Sequence, residues 1–216
     1  MAGAPGKERS LDTVPSMDTT SRIMAGDPSV PQQIQDLVGM AQRTVGEVIG
    51  VEPDLTPETL PLVDQYLRDV PQDTSEEVLD LVLSSVGCYF GEVVRRKLNG
   101  RWALPDDDPN QWRIELISCF LHFRPVGMAG EVFRQVETDG FDGSFGTLDE
   151  LSDAMELMLA QTAPMSEEEY YSLSGRVDVL QLATDWLVGQ TLVEGKRPIS
   201  YSAEDYGVRL DPADQD

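Results

Sequence analysis

Apolar residues recur at helical spacing from Ile34 onward, with Ile34, Leu37, Val38, Ala41, Val45 and Val48 on one side of a helix that ends at Gly50. Ser29-Val30-Pro31-Gln32 predicts its start, with Ser29 as cap, Pro31 in the first turn and Gln32 completing a capping box. Thr56-Pro57 opens a second helix, with Leu60, Val63, Leu67 and Val70 on one stripe until Pro71 stops it. Thr74-Ser75-Glu76-Glu77 is another capping box. The segment from Glu76 to Leu98 that follows is apolar almost all the way round, which predicts a central helix. Gly87 and Gly91 lie four residues apart on one face of it. Because a mid-helix glycine costs about 0.5–1 kcal/mol relative to alanine, the pair predicts close approach by another element. Asn99-Gly100 ends the helix, with Gly100 suited to the left-handed terminal position.

Two β-prone stretches follow, 101–104 and 112–123, separated by Pro-Asp-Asp-Asp-Pro-Asn, and together they predict a small antiparallel sheet. A short helix is expected from Val126 to Val136, then a Gly-rich loop from Asp139 to Gly146. Thr147 and Ser166 each open a capping box. The first helix turns Leu151, Met155 and Met158 inward; the second turns Tyr170, Leu173, Val177, Leu180 and Leu187 inward and ends at Gly189. The expected architecture is α+β and predominantly helical, with five or six helices around a small antiparallel sheet. Residues 1–28 read as a disordered leader, 29–194 as a single domain and 195–216 as an acidic tail, in which Ile199, Tyr201, Tyr206, Val208 and Leu210 are apolar enough to dock one extended segment.

Candidate chemistry is sparse. The sole histidine, His122, cannot build a multi-histidine metal site, and Cys119, three residues away in one predicted strand, falls on the opposite face. Cys88 and Cys119 sit among apolar neighbours and read as buried reduced thiols. The loop Asp106-Asp107-Asp108-Pro109-Asn110 begins like a calcium loop, but Gln111 stands where glycine is needed and Ile117 where the bidentate glutamate belongs. The loop from Asp139 has Phe141 at a ligand position and lacks the ending of a phosphate-binding loop. No metal and no cofactor is therefore expected. Arg95, Arg96, Lys97 and Arg101 gather at one helix end, where cations stabilise the dipole; a docking patch is the alternative reading.

Charge changes the picture more than any motif does. The 216 residues carry 16 Lys or Arg and 39 Asp or Glu, a formal charge of −23 with 40% hydrophobic residues. Such a chain folds, yet repels phosphate backbones and anionic lipid, so neither nucleic acid nor membrane is an expected partner. No run approaches the ~18 apolar residues that span a bilayer, and no signal-peptide pattern opens the chain, so a cytoplasmic location is expected. The net charge is −1 over residues 1–30, −8 over 31–136 and −14 over 137–216. Asp149, Glu150, Asp153, Glu156, Glu167, Glu168 and Glu169, which open the two helices of this anionic third, are the candidate partner-binding residues.

The stretch Cys88-Tyr-Phe-Gly-Glu-Val-Val-Arg-Arg-Lys-Leu-Asn-Gly-Arg-Trp102 resembles a pattern recurring in small bacterial α+β proteins, in which a long helix carrying Gly-Glu runs into a Gly-x-Trp strand start. Some of these resemble immunity or inhibitor-type proteins. The resemblance implies a bacterial α+β domain with Gly91 for close packing, Gly100 for the helix end and Trp102 for the core, and it implies no catalytic residue. The leading expectation is a non-enzymatic regulator or inhibitor that holds a basic protein partner, of protease or toxin class, through its anionic surface. The alternatives are a subunit of a larger assembly and an enzyme with a site near Trp102, Glu115 and His122; oligomeric state is left open.

Overall fold

The computed structural model describes residues 27–136, 141–162, 165–193 and 199–211. Apart from Asp27 and Pro28, the expected leader lies outside these residues, as do 137–140 of the Gly-rich loop and 212–216 of the expected tail. The order is α1 (Gln32–Ile49), α2 (Leu60–Asp69), α3 (Glu76–Leu98), β1 (Gly100–Ala103), β2 (Arg113–Leu116), β3 (His122–Phe123), α4 (Pro125–Arg134), β4 (Phe145–Gly146), α5 (Asp149–Thr162), α6 (Glu167–Tyr170), α7 (Leu173–Val193) and α8 (Ala203–Leu210). The fold is α+β, with eight α-helices among the described residues and one antiparallel sheet in the order β1-β2-β3-β4.

Helix α3 is the centre, as its all-round apolar pattern requires. Every residue from Ser85 to Val94 is buried, and the helix packs against α1, α4, α7 and the sheet. Nearer its N-terminus only one side is covered, with Leu79 and Leu83 buried and Val78 and Leu81 exposed. The two glycines are contact points: a Cβ on Gly87 would lie 2.6 Å from Val126 Cα, and one on Gly91 would lie 2.5 Å from Trp102 Cη2. Tyr89 on the same helix reaches across to the loop before α2, where its hydroxyl accepts from Leu55 N at 2.9 Å and holds Leu55 in its left-handed conformation.

Several local expectations are corrected by competing hydrogen bonds. The box at Ser29 does not form, because Ser29 N and Oγ both donate to Asp27 Oδ1 and α1 starts on Pro31 without a side-chain cap. Thr74 Oγ1 donates to Pro71 O at 2.7 Å, leaving α3 capped by the backbone of Ser75. Thr147 Oγ1 donates to Phe120 O at 2.7 Å, tying the start of α5 to the sheet instead of capping it. Ser166 and Glu169 do form their capping box. At the end of α3, Asn99 and not Gly100 takes the left-handed position, with φ 57°, since asparagine tolerates it; Gly100 begins β1 instead.

The stretch 112–123 is two strands, not one, because the chain bends between Leu116 and His122. The bend is held by the C-terminal segment that was expected as a tail. Tyr201 N donates to Ile117 O at 2.9 Å. Tyr206, fully buried on α8, accepts from Leu121 N at 2.8 Å, and its hydroxyl proton is shared among the carbonyls of Leu116, Cys119 and Leu121 at 2.9–3.0 Å. Phe120 stacks on the Tyr206 ring at 4.2 Å. Residues 199–211 are thus a strap across the sheet, with a helix where an extended segment was expected.

The helix expected from Ser166 to Gly189 is likewise broken. Asp64 of α2, 3% exposed, accepts from Leu173 N at 2.7 Å, Ser174 N at 3.2 Å and Ser174 Oγ at 2.6 Å, so a carboxylate from another helix caps α7 and forces the turn at Tyr171 and Ser172. Tyr170 therefore lies at the surface on α6 rather than inward. Beside this cap, the buried pair Arg176–Glu131 joins α7 to α4 at 2.8 Å, with Gly143 N donating to Glu131 Oε1 and Arg176 Nη1 to Gly143 O. Replacing Asp64 by alanine strands buried N–H donors, so Asp64→Ala is expected to lower the unfolding free energy by about 1–3 kcal/mol in a denaturant titration. An unchanged midpoint and slope would show that α7 does not need this cap.

Candidate functional site

Strand alternation divides the residues that sequence reasoning had grouped. In the ladder, Arg101 faces Glu115 and Glu115 faces His122, while Trp102 faces Ile114 and Ile114 faces Phe123. Because side chains alternate across a strand, Arg101, Arg113, Glu115 and His122 share one face and Trp102, Ile114 and Phe123 the other. Trp102 packs on Gly91 of α3 and donates its indole N–H to Glu92 at 3.3 Å. The proposed trio of Trp102, Glu115 and His122 is therefore not one site: Glu115 and His122 are brought together, and Trp102 belongs to the core behind them.

On the polar face Glu115 is 1% exposed, and both its oxygens are taken, Oε2 by Arg101 Nε at 3.0 Å and Oε1 by Arg113 Nε at 2.9 Å. A carboxylate so engaged is an anchor for two guanidinium groups rather than a free general base. Arg101 continues to Tyr201 O at 2.9 Å and lies over the Tyr206 ring, fastening the strap. Arg113 turns its other two nitrogens to Asp211, at the end of the strap, in a bidentate ion pair.

Beyond this ladder opens a cleft of about 370 Å³, with Arg113, His122, Arg124, Asp142, Ser144 and Asp211 among its lining. Arg124 pairs with Asp142, and both are more than one-third exposed. Ser144 N and Oγ donate to Asp142 Oδ1, which holds that carboxylate in place. Gly146 of β4 lies opposite His122, and a Cβ there would stand 2.7 Å from His122 Nε2, so only glycine leaves that nitrogen uncovered. Among the described residues neither ring nitrogen of His122 has a hydrogen-bond partner; the ring meets Phe120 and Tyr206 edge-on. Burial, then the positive charges of Arg113 and Arg124, push the imidazole pKa down from 6.5 to about 4, against the opposing pull of Asp142 and Asp211.

The remaining candidates fall elsewhere. Cys88 and Cys119 are buried free thiols whose pKa is raised by desolvation, that of Cys119 to about 12, so neither is a thiolate at neutral pH. Cys119 sits in the bend between β2 and β3 rather than in a strand. In the aspartate loop, Asp106 and Asp108 carboxylates accept from the backbone N–H two residues on, an ordinary turn. Among the described residues, no cluster of three or more His, Cys, Asp or Glu is arranged to hold a metal ion. Arg95 and Arg96 both donate to Glu92, Arg95 also to Asp27, and Arg101 to Glu115, so three of the four residues of the basic cluster are used within the fold. Burial raises the Glu92 pKa, but the Arg95 and Arg96 hydrogen bonds outweigh it and leave it lowered. Asp149, Glu150, Asp153, Glu156, Glu167, Glu168 and Glu169 are all exposed, on α5 and α6.

Sequence reasoning missed Arg113, Arg124, Asp142, Ser144, Gly146 and Asp211. Part of the signal was readable: Trp112, Ile114 and Leu116 alternate with Arg113 and Glu115, the mark of a strand with one polar face. No family model, no curated protein and no solved structure matches the chain. As the only histidine, His122 gives a single imidazole resonance, so its titration is read without assignment. A midpoint near 4 is expected by NMR. Because the unfolded chain takes the proton near 6.5 and the folded one only near 4, the stability contributed by the neutral ring is complete above pH 6.5 and lost as pH falls through that window. A midpoint near 6.5 would contradict the cleft electrostatics.

Proposed function

We propose that the protein is a non-enzymatic, cytoplasmic binding protein that holds a basic protein partner, of protease or toxin class, against the acidic face of α5 and α6, as a regulator or inhibitor. The observation that supports this is that the side chains of Asp149, Glu150, Asp153, Glu156, Glu167 and Glu168 are exposed and enter no ion pair or hydrogen bond among the described residues. Glu169 alone of the seven is used, in its capping box, which lowers its pKa.

Acids in a first helical turn are stabilised by the dipole, and that accounts for Asp149, Glu150 and the α6 set. It does not account for Asp153 and Glu156, which follow Asp149 at i+4 and i+7 and repel along one stripe at ~0.2–0.5 kcal/mol per pair. A partner carrying Lys or Arg relieves that repulsion, and complementary potentials speed its arrival. Leu157, 61% exposed beside Glu156 on α5, supplies an apolar contact next to the charged stripe. The likeness of 88–102 to proteins of immunity or inhibitor type favours the same reading.

A pull-down with the full chain tests the proposal. Wild type is expected to retain a stoichiometric partner at low salt, to release it at high salt, and to lose it when Asp153 and Glu156 are both changed to lysine. No salt-sensitive partner, or equal retention by the D153K/E156K protein, would contradict it.

A further inference from the structure

The cleft beside the sheet is separate from the acidic face and carries a reading of its own. We propose that it binds a compact oxyanion of the phosphate class, seated between Arg113 and Arg124 over the His122 ring, in exchange for the Asp211 carboxylate.

Three groups converge there from neighbouring positions on β2, β3 and the residue after β3. Arg113 is anchored from behind by Glu115, with its side chain 9% exposed, so its fork is fixed in direction and its two terminal nitrogens face outward. Such a fork matches a carboxylate or phosphate edge in bidentate geometry, and Asp211 now fills it as a tethered carboxylate would. Arg124 stands across the cleft. His122 adds a ring nitrogen with no hydrogen-bond partner among the described residues, left open by the missing side chain of Gly146. A tetrahedral oxyanion has enough oxygens to meet all three groups at once, whereas a planar carboxylate satisfies one fork.

The resident carboxylates, Asp211 and Asp142, are each about half exposed, so solvent and solute anions reach them. Among the described residues Asp211 is the strap's only hydrogen-bond link to Arg113, so exchanging its carboxylate leaves the Tyr206 anchor in place. Asp106 also lines the cleft and opposes any anion, so the ligand has to draw its affinity from the Arg113 fork, Arg124 and the His122 ring together.

The full chain titrated with inorganic phosphate at neutral pH, against chloride at equal ionic strength, tests this through the single His122 resonance. A saturable shift in phosphate and none in chloride is expected. Arg124→Gln, at the solvent-exposed rim, is expected to weaken the apparent affinity at least tenfold. Asp211→Asn is expected to tighten it several-fold, while Asp80→Asn, which removes an equal charge from the exposed side of α3, leaves it unchanged. A phosphate response no larger than that of chloride, an Arg124→Gln protein with wild-type affinity, or equal tightening by the two aspartate variants would each overturn the proposal.

Discussion

The architecture rests on how closely other elements approach the buried middle of α3. At Gly87 the backbone of α4 lies where a side chain would be, and at Gly91 the Trp102 indole does. Interiors are packed to crystal-like density, so two such notches fix both the height and the tilt of whatever is pressed into them. Trp102 seats β1, and Val126 seats α4. The chain between these two residues contains β2, the bend and β3, so the sheet is held at both ends by one helical face.

The sheet then has one dry face and one charged face, and the charged face explains the C-terminal strap. Burying Glu115 with Arg101 and Arg113 costs less when their other donors find acceptors, which all but Arg101 Nη2 do. The strap supplies two of these, Tyr201 O to Arg101 and the Asp211 carboxylate to Arg113, and Tyr206 closes the bend beneath. A segment with a net negative charge is docked because it completes a polar ladder, with Tyr206 as its buried anchor. The cleft is what remains open at the edge of that ladder, and His122 there loses basicity first to burial and then to the charges of Arg113 and Arg124.

How much of this could be read from sequence follows from the range of the interactions. The central position of α3, the need for close approach at Gly87 and Gly91, the antiparallel sheet and the box at Ser166 all depend on periodicity or on neighbours within a few residues, and they were readable. The apolar residues from Ile199 to Leu210 marked a segment able to dock, but its helix and its seat, the Asp64 cap on α7 and the pairing of Arg113 with Asp211 join residues about a hundred positions apart, and no local pattern marks those. The capping boxes at Ser29, Thr74 and Thr147 failed for a related reason: each hydroxyl had a second acceptor within reach, and the tertiary or turn geometry decided between them. Grouping Trp102 with Glu115 and His122 failed because a strand's two faces part neighbours that the sequence lists together. The anionic surface of α5 and α6, by contrast, needed no contact to be found, since exposure is what charged residues at those spacings adopt by default.

The unfolding free energy of Gly87→Ala tests the role of the α3 notches most directly, because two effects of opposite sign compete there. Helix propensity alone favours alanine by about 0.5–1 kcal/mol. A methyl group forced against the Val126 backbone, which belongs to a second packed helix and cannot simply rotate aside, costs about 1–3 kcal/mol. A net loss of stability is expected in denaturant unfolding, with the slope unchanged; a variant as stable as wild type, or more so, would show that the notch at Gly87 does not set the packing.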